Sequence, residues 1–476
     1  MHKLTTSQLG RRFLLGAAIT SLLVACGVDQ VAGIQGSGSP VAAGYTSVGP
    51  ITGFGSVIVD GVEYSTTGAQ IRIDDEPAPE SQLRVGQIVS INGSVNADGT
   101  TSVATTISFT SDLRGPVTQI DLANSTFTVL GQSVQVTDAT LFDESIQPGE
   151  LAGLAAGALV QVSGFANAAG DLVASRVDVA AAGATLQVKG AVQALDATAS
   201  TFRINTLTVS YGGVMPTGTL ANGGIVLVRG TALSNGGALV ATRVQVLSGL
   251  GAAANDRGQL EGIITSFTSN ADFALNGQRV ATDSSTELVL RGATLGLDVP
   301  VKVRGTFNAS GVLVATRVEV KPNSLSVVRG LVTDVSAATR TLNVLGIPVT
   351  TGSSTSFEDR SDLHILQFRL EDVRTGDYVE VRGTPAPAGG GLEATFVERE
   401  KPANLSYLQG VATNVANPSF AILGTLVTTN ARTLFAGPGG QEKAAAEFFN
   451  EAPGKTLKVR GALSGSIIAD RVQIVR

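Results

Sequence analysis

Apolar and polar residues alternate in short runs along this 476-residue chain, and the pattern is clearest at residues 300–320. Val301 and Val303 alternate with polar neighbours, which is the period-two pattern of a strand with one buried face. A turn at 308–311 holds the Asn and Gly that are typical of a hairpin loop. A second alternating run at 317–320 returns along the first, so the pattern predicts a β-hairpin.

Versions of this hairpin recur through the chain, and three landmarks follow one another in fixed order. The first landmark is a glycine that opens a strand, the second is a glycine that ends a later alternating strand, and the third is a closing strand of the Ala-Thr-Arg-Val type. The opening glycines are Gly49, Gly115, Gly190, Gly262, Gly330 and Gly410. The strand-ending glycines are Gly93, Gly164, Gly230, Gly305, Gly383 and Gly461. Successive opening glycines lie 66 to 80 residues apart, which predicts six small repeats.

Each repeat is predicted to contain five strands, with a variable segment between the third and the fourth. Residues 444–449 are the best helix candidate and fall in that segment of the last repeat. This layout favours a small OB-like barrel. An immunoglobulin-like sandwich needs about seven strands and roughly 100 residues. A propeller blade has about 40–50 residues, so both alternatives fit the spacing less well.

The first 25 residues have the pattern of an export signal. Three basic residues and no acid precede a short apolar run at 13–25, which is too short to cross a bilayer as a helix. The run ends in Leu-Val-Ala-Cys, which resembles the lipobox of bacterial lipoproteins. That resemblance implies cleavage after Ala25, acylation of Cys26 and a membrane anchor, with the outer membrane as the expected location. The alternative is a buried cysteine in an ordinary secreted chain. Arg11 and Arg12 resemble a degraded twin-arginine signal, which leaves both the Sec and the Tat route open.

The predicted fold class is therefore all-β, with six tandem small OB-like five-stranded β-barrels after a lipoprotein signal peptide and a flexible tether. The predicted boundaries are 1–25 for the signal peptide, 26–45 for the lipidated tether, and 46–111, 112–182, 186–250, 257–321, 325–400 and 405–476 for repeats 1 to 6. Domains of this size bury only about 60% of their unfolded surface. We therefore expect neighbouring repeats to pack on one another.

Two sequence motifs accompany the opening glycines. They are Gly-Asp-Tyr-Val-Glu-Val-Arg-Gly at 376–383 and Ala-Thr-Arg-Val-Glu-Val at 315–320. Together these landmarks resemble an uncharacterised bacterial family, the domain of unknown function 5666. The resemblance covers nearly all of the chain beyond the tether and implies an exported protein with tandem domains. Because the shared motifs are structural, the resemblance implies no activity.

The composition excludes several kinds of site. The chain has one cysteine and two histidines, and with Cys26 acylated and the signal peptide removed only His364 remains. A His/Cys zinc site and a Ser-His-Asp triad therefore cannot be built. The net charge is −6, and −9 without residues 1–25, so the chain lacks the basic character of a nucleic-acid-binding protein. We predict no catalytic residue, no metal, no cofactor and no nucleic-acid partner.

Acidic residues form two clusters, at 74–76 and 358–362. Both fall in the variable segment between strands 3 and 4, where charged residues are ordinarily solvated. Neither cluster has the spacing of an EF-hand loop, so a weak Ca²⁺ site is the less favoured alternative.

The most regular polar feature is a series of arginines on the outward face of the fourth and fifth strands. One interpretation is pairing with acids on neighbouring strands and covering of apolar surface by the arginine stems. The other is a repeated anion-binding strip. The candidate ligand-binding residues are Arg176, Arg243, Arg317, Arg471, Arg304 and Arg382, and Arg229 and Arg460 belong to the same series.

Three functions remain open at this point. The sequence favours a non-enzymatic, membrane-anchored lipoprotein that serves as a scaffold, spacer or adhesion module of the cell envelope. The second is a binding protein for an anionic polysaccharide or another polymer, or for an envelope protein, through the arginines. The third, a carboxylate-based hydrolase, is disfavoured because no paired acids recur at matched positions.

The lipobox gives a direct test of the anchor. Replacing Cys26→Ser removes the thiol that would carry the lipid, so the protein should move from the membrane fraction to the soluble fraction when cells are fractionated. Ser37→Ala, a change of similar size in the tether, should leave the protein in the membrane. An unchanged distribution of the Cys26→Ser protein would contradict lipid anchoring.

Overall fold

The computed structural model describes residues 44–475, with gaps at 55, 96–100, 148, 248, 291, 323–324, 354, 366, 388–389, 438–440 and 465. The described residues are almost entirely β-structure and form six small closed barrels in tandem. The predicted fold class of repeated five-stranded β-barrels is confirmed. The predicted signal peptide, and the tether up to residue 43, lie outside the described residues.

Repeats 1 to 3 occupy the first half of the described chain. Repeat 1 contains β1 (Tyr45–Gly53), β2 (Val57–Val59), β3 (Val62–Ser65), β4 (Gln70–Ile73), β5 (Glu76–Pro77), β6 (Ile88–Val95) and β7 (Thr101–Phe109). Repeat 2 contains β8 (Leu113–Asp121), β9 (Thr126–Val129), β10 (Gln132–Gln135), β11 (Leu141–Phe142), β12 (Leu159–Ala166) and β13 (Leu172–Val179). Repeat 3 contains β14 (Leu186–Ala191), β15 (Gln193–Asp196), β16 (Thr201–Ile204), β17 (Leu207–Ser210), β18 (Ile225–Leu233) and β19 (Leu239–Val246).

Repeats 4 to 6 follow the same plan. Repeat 4 contains β20 (Arg257–Ser269), β21 (Asp272–Leu275), β22 (Gln278–Ala281), β23 (Glu287–Val289), β24 (Pro300–Phe307) and β25 (Leu313–Val320). Repeat 5 contains β26 (Ser326–Ser336), β27 (Thr341–Val344), β28 (Ile347–Thr350), β29 (Ser356–Asp359), β30 (Tyr378–Pro385) and β31 (Leu392–Glu400). Repeat 6 contains β32 (Ser406–Val411), β33 (Thr413–Ala416), β34 (Ser419–Ile422), β35 (Thr425–Thr428), β36 (Leu434–Ala436), α1 (Ala445–Glu451), β37 (Thr456–Ser464) and β38 (Ser466–Ile474).

All six barrels close in the same way, and repeat 2 serves as the example. Its first three main strands, β8, β9 and β10, form an antiparallel meander. The third strand, β10, then pairs in parallel with the fifth, β13. The fourth strand, β12, lies antiparallel between β13 and β8, which closes the barrel in the order 1-2-3-5-4-1. Five strands with a variable segment between the third and the fourth are what the sequence predicted.

The variable segment carries the short elements of each repeat. In five of the repeats it contributes a short strand (β4, β11, β23, β29 or β36) that pairs in parallel with the fifth strand. Short 3-10 helices lie in three of these segments, at Glu80–Gln82, Leu151–Gly153 and Leu370–Asp372. The predicted helix of repeat 6 is present as α1, whose Phe448 and Phe449 are buried in the core.

The strand-ending glycines have a steric cause. In every repeat the pairing of strands 4 and 5 shifts register next to this glycine, which marks a β-bulge. The bulge brings a carbonyl oxygen of strand 5 over the glycine Cα. At Gly305 an added Cβ would overlap the carbonyl oxygen of Val314, and at Gly383 it would overlap that of Glu393. No other residue type fits these positions without backbone movement.

The opening glycines are needed for a different contact. Each receives the side chain of a residue in or next to strand 2, which packs directly on the strand 1 backbone. An added Cβ at Gly115 would lie 2.7 Å from Leu130, and one at Gly410 would lie 2.8 Å from Ile422. The three sequence landmarks therefore define the barrel and not a ligand site.

Within its own barrel, the first half of strand 1 has one edge without a partner strand. The repeats join in pairs through this edge. In β8, residues 113–116 pair with strand 4, and the strand 2 partners begin only at Val117. The other edge of residues 113–116 has no partner within repeat 2, so it can pair with a second repeat. It pairs with β14 of repeat 3, and β26 pairs with β32 of repeat 6 in the same antiparallel manner.

Repeat 1 pairs with repeat 4 instead of with its neighbour. Residues 45–48 of β1 run parallel to residues 257–260 of β20. Our expectation that neighbouring repeats pack on one another is confirmed for repeats 2 and 3 and for repeats 5 and 6, which pair through strands. Repeat 1 pairs no strand with repeat 2 but contacts it through side chains, since Arg176 of repeat 2 donates to the carbonyl oxygen of Val85 in repeat 1. Repeats 2 and 3 share one apolar core, as do repeats 5 and 6, whereas repeats 1 and 4 keep separate cores.

A buried group of charged residues lies between repeats 1 and 4. The carboxylate of Asp60, in repeat 1, faces three residues of repeat 4: Lys302, Lys321 and Glu261. The Lys321 Nζ lies 3.1 Å from Glu261 Oε2 and 3.8 Å from Asp60 Oδ1, and the Lys302 Nζ donates to the Asp60 carbonyl at 2.8 Å. Burial, together with the adjacent carboxylate of Asp60, raises the pKa of Glu261 to about 8. Glu261 is therefore largely protonated at neutral pH.

Replacement of a strand-ending glycine by alanine should lower the stability of the protein strongly, although it adds only one methyl group. Gly305→Ala should lower the free energy of unfolding by about 2 kcal/mol or more, because the new methyl group overlaps a backbone carbonyl that cannot move without breaking the strand pair. Gly296→Ala in the same repeat places its Cβ in open space and should be nearly neutral. Urea unfolding of the two variants measures the difference, and equal stabilities would contradict the steric explanation.

Glu261 predicts a pH dependence of the contact between repeats 1 and 4. Its pKa in the folded protein, about 8, lies above the ordinary value of 4.5, so its contribution is complete below pH 4.5 and is lost as pH rises through 8. Thermal unfolding followed between pH 5 and 8.5 should show this loss as a fall in stability with rising pH. Glu261→Gln should flatten that part of the profile, and Glu287→Gln, an exposed residue of the same repeat, should not. A profile unchanged by Glu261→Gln would contradict the assignment.

Candidate functional site

Polar side chains form a row on the outer face wherever strand 1 of one repeat pairs with strand 1 of another. Direct cross-strand partners define a row in each antiparallel pair of repeats. The 2–3 row consists of Arg114, Gln187, Arg229 and Arg243. The 5–6 row consists of Arg329, Tyr407, Arg460 and Arg471, at the same register positions.

The 2–3 row holds two carboxylates of repeat 1. Asp74 and Asp75 form the tip between β4 and β5, and both have positive φ angles, 52° and 73°. Asp74 pairs with Arg114. Asp75 Oδ2 lies 2.9 Å from Nη1 of Arg229 and 2.9 Å from Nη1 of Arg243. The two adjacent carboxylates thus form ion pairs with three arginines.

The 5–6 row is not neutralised in this way. Arg329 pairs with Glu380 of its own repeat and stacks on the Tyr407 ring, with its guanidinium carbon 4.8 Å from the ring centroid. Arg460 donates through Nε to the neighbouring Asp470. Arg471 is exposed and makes no ion pair or hydrogen bond with a described residue.

A cleft of about 660 Å³ lies over this row. One wall is the 5–6 row together with Arg382 and Lys458, and the other is repeat 2, mainly residues 136–142 and 149–152. Five cations line the cleft, against the three carboxylates Asp138, Glu150 and Glu380. The volume is within the range of small-ligand sites, about 300–1,000 Å³.

Two contacts fix the walls of the cleft relative to each other. Arg382 Nη1 donates to the carbonyl oxygens of Asp138 at 3.2 Å and Thr140 at 2.9 Å. Lys458 Nζ lies 3.3 Å from Glu150 Oε2. These contacts connect repeat 2 to repeats 5 and 6 at two points, and Arg471, which lines the same cleft, has no partner among the described residues.

Glu380 sets the charge at one end of the row. Burial alone would raise its pKa, but Arg382 and Arg329 lower the pKa of Glu380 to about 2. The carboxylate is therefore ionised at every physiological pH and pairs with both Arg382 and Arg329. Arg460 is paired with Asp470, so among the described residues the uncompensated positive charge of the cleft lies at Arg471.

The repeats match one family of known domains. The match covers residues 47–108, 114–178, 189–245, 261–319, 329–398 and 409–473, which is well over half of the chain. The family is described as a domain of unknown function, DUF5666. The chain belongs to the DUF5666 family. No curated protein matches it.

The contacts between DUF5666 repeats involve three of the six predicted arginines. Arg176 of repeat 2 is buried and donates to the carbonyl oxygen of Val85 in repeat 1. Arg382 bonds repeat 2, and Arg243 bonds Asp75 of repeat 1. Their side chains leave the barrel on the outer face, as predicted, but another repeat covers or neutralises them. They therefore contribute to assembly of the repeats.

The other three predicted arginines have different surroundings. Arg304 donates to Gln259 at 2.7 Å, and Arg317 pairs with Glu287 and Glu319 of its own repeat. Arg471 lines the cleft. Because the six side chains lie in separate environments, they do not form one continuous strip along the DUF5666 repeats.

The acidic clusters are less solvated than predicted. Asp359 is buried, paired with Arg399, and accepts hydrogen bonds from the backbone of Ser361 and Ile365. These interactions, led by the Arg399 hydrogen bond, outweigh burial and hold the pKa of Asp359 far below its usual range. In the cluster at 74–76, Asp74 and Asp75 pair with arginines of the 2–3 row. Within the described chain, no group of three or more His, Cys, Asp and Glu side chains is placed to hold a metal ion.

Sequence reasoning missed three residues of the cleft: Arg329, Tyr407 and Lys458. Arg329 immediately precedes an opening glycine, Gly330, in the same relation as Arg114 to Gly115. The shared position before the opening glycine could have identified Arg329 from the sequence. No comparable sequence pattern marks Tyr407 and Lys458, because their place in the cleft depends on which repeats pair.

The predicted lipid attachment at Cys26 and cleavage after Ala25 lie outside the described residues. In the part of the chain that the structure covers, no helix is long and apolar enough to cross a membrane.

Proposed function

We propose that this protein is a non-enzymatic binding protein of the bacterial cell envelope that holds an anionic polymer in the cleft between repeat 2 and the 5–6 row. The observation that carries the proposal is the pair Arg460 and Arg471. The two arginines are direct cross-strand neighbours at a 660 Å³ cleft, and Arg471 has no carboxylate partner among the described residues.

Two like charges placed directly opposite each other in a sheet are unfavourable unless an anion lies between them. In repeat 3 the equivalent pair, Arg229 and Arg243, has Asp75 as its shared partner. In repeat 6 Asp470 pairs with Arg460 alone, and an anionic group from outside the chain would supply a partner for Arg471. Charge-assisted hydrogen bonds from guanidinium groups are strong, directional contacts for carboxylates.

The contacts among repeats support binding over a spacer role. In an extended spacer built from stacked repeats, each repeat contacts only its chain neighbours. Here Val85 of repeat 1, Leu141 of repeat 2 and Phe396 of repeat 5 share one apolar cluster. Repeats from distant parts of the sequence are thus brought together around the cleft, which a simple spacer would not need.

The envelope location is part of the proposal and is supported by the sequence. The basic N-terminal region, the short apolar run and Leu-Val-Ala-Cys before and at Cys26 resemble a lipoprotein signal. A lipid-modified Cys26 would attach the protein to the membrane, by default the outer membrane, and the tether would separate the repeats from the lipid surface.

The cleft predicts salt-sensitive binding of polyanions. The purified protein should bind immobilised polygalacturonate or poly-L-glutamate at low salt and should not bind neutral dextran, because the cleft contributes charge and little aromatic surface. Arg471→Gln should weaken binding about ten-fold, which corresponds to about 1.4 kcal/mol. Arg317→Gln, the same change at the equivalent position of repeat 4, should have little effect.

Surface plasmon resonance between 25 and 300 mM NaCl measures both variants. If neither polyanion binds, or if both variants lose affinity equally, the cleft is not the anion site and the proposal fails.

A further inference from the structure

The protein contains its own example of how such a row binds an anion. The 2–3 row and the 5–6 row occupy the same register positions, so Arg114 corresponds to Arg329, Arg229 to Arg460 and Arg243 to Arg471. The first row is occupied by Asp74 and Asp75, and the second row borders an open cleft.

From this correspondence we propose that the ligand of the cleft is a polypeptide turn with two adjacent carboxylates, bound on the 5–6 row as the Asp74–Asp75 tip is bound on the 2–3 row. The inference rests on the proposed function and names its ligand class. The partner is thus a protein segment with consecutive Asp or Glu residues at a tight turn.

The geometry of the occupied row defines what the ligand must present. Asp75 bridges Arg229 and Arg243 at 2.9 Å each, and Asp74 pairs with Arg114 while its other oxygen lies 3.8 Å from Arg229. One guanidinium, that of Arg229, thus contacts both carboxylates. A tight turn with positive φ at both residues brings two neighbouring carboxylates to one side, which a single acid cannot reproduce.

The 5–6 row retains the guanidinium groups that would bind a carboxylate placed as Asp75 is placed in the 2–3 row. Arg460 uses only its Nε for Asp470, and its two Nη atoms make no hydrogen bond that involves a described residue. Arg471 offers its whole guanidinium group. A carboxylate between them would repeat the position of Asp75 between Arg229 and Arg243.

Two residues of the 5–6 row differ in type from their counterparts in the 2–3 row. Glu380 stands where the first row has Gln161, so Arg329 is already neutralised and contributes less to binding than Arg114 does. Tyr407 stands in place of Gln187, and its ring is covered by Arg329 at 4.8 Å. Because this ring face is covered, it is not available for stacking on a sugar, which favours a peptide over a glycan.

The opposite wall suits a peptide backbone. Repeat 2 lines the cleft with the hydroxyl groups of Ser125 and Thr137, among others, and with the small residues Ala123 and Gly149. Hydroxyl groups serve as both donors and acceptors for main-chain N–H and C=O groups. The basic row would bind the acidic side chains while this wall contacts the turn itself.

A peptide copied from the chain tests the inference. The probe is a fluorescein-labelled peptide with the sequence of residues 71–77, Ile-Arg-Ile-Asp-Asp-Glu-Pro, closed by a disulfide between added terminal cysteines. It should bind the full-length protein in fluorescence anisotropy, and replacing both aspartates by asparagine should weaken binding at least about ten-fold. The native Asp74–Asp75 tip occupies the 2–3 row at high effective concentration, so the peptide reports the open row.

Variants locate the binding. Arg471→Gln and Arg460→Gln should each weaken peptide binding about five- to ten-fold, and Arg317→Gln should not. Peptide binding that is insensitive to both cleft variants overturns the inference. Binding of polygalacturonate in the cleft without binding of the peptide also overturns it but leaves the proposed function intact. Failure of polygalacturonate, poly-L-glutamate and the peptide alike overturns both.

Discussion

The architecture depends on the unpaired edge of the first half of strand 1. An OB-like barrel of this size closes its sheet almost completely, but its long first strand meets strand 2 only after the opening glycine. The backbone N–H and C=O groups ahead of that glycine must find partners, since unpaired strand edges are costly or invite further pairing. Joining two such edges satisfies both, and it converts six domains into three continuous sheets.

The same joint creates the polar rows. Strands 4 and 5 of one repeat already hold two arginines side by side, and when two first strands pair, the arginine before the opening glycine of the other repeat is aligned with them. The chain compensates this charge in different ways. Repeat 1 supplies Asp74 and Asp75 to one row, Glu380 and Asp470 pair with arginines of the other, and the residual charge at Arg471 lies at a cleft. Assembly and binding capacity thus have one physical origin.

The sequence predicted the barrels well because alternation, turn residues and repeat spacing are local signals. The strand-ending glycines were found from sequence as recurring landmarks, and the structure supplies their cause, since a bulge carbonyl excludes every Cβ at Gly305 and Gly383. The partnership of the repeats could not be predicted, because nothing local distinguishes the edge of β1 from that of β8. For the same reason Arg176 looked like a surface residue, although repeat 1 buries it. The cleft combines residues from repeats 2, 5 and 6, so only its individual arginines were recognisable in advance.

The parallel contact of β1 with β20 affects the order in which the chain assembles. Residues 45–48 leave the ribosome more than 200 residues before their partners at 257–260. All residues of the joint between repeats 2 and 3 precede residue 257, so this joint can form while the first barrel still has an open edge. Contacts so distant in sequence form slowly, and an edge left open can pair with the same strand of another molecule. At high concentration, repeat 4 of one chain would therefore compete with repeat 4 of a second chain for the same barrel, and exchange of this strand partner is the expected route to dimers.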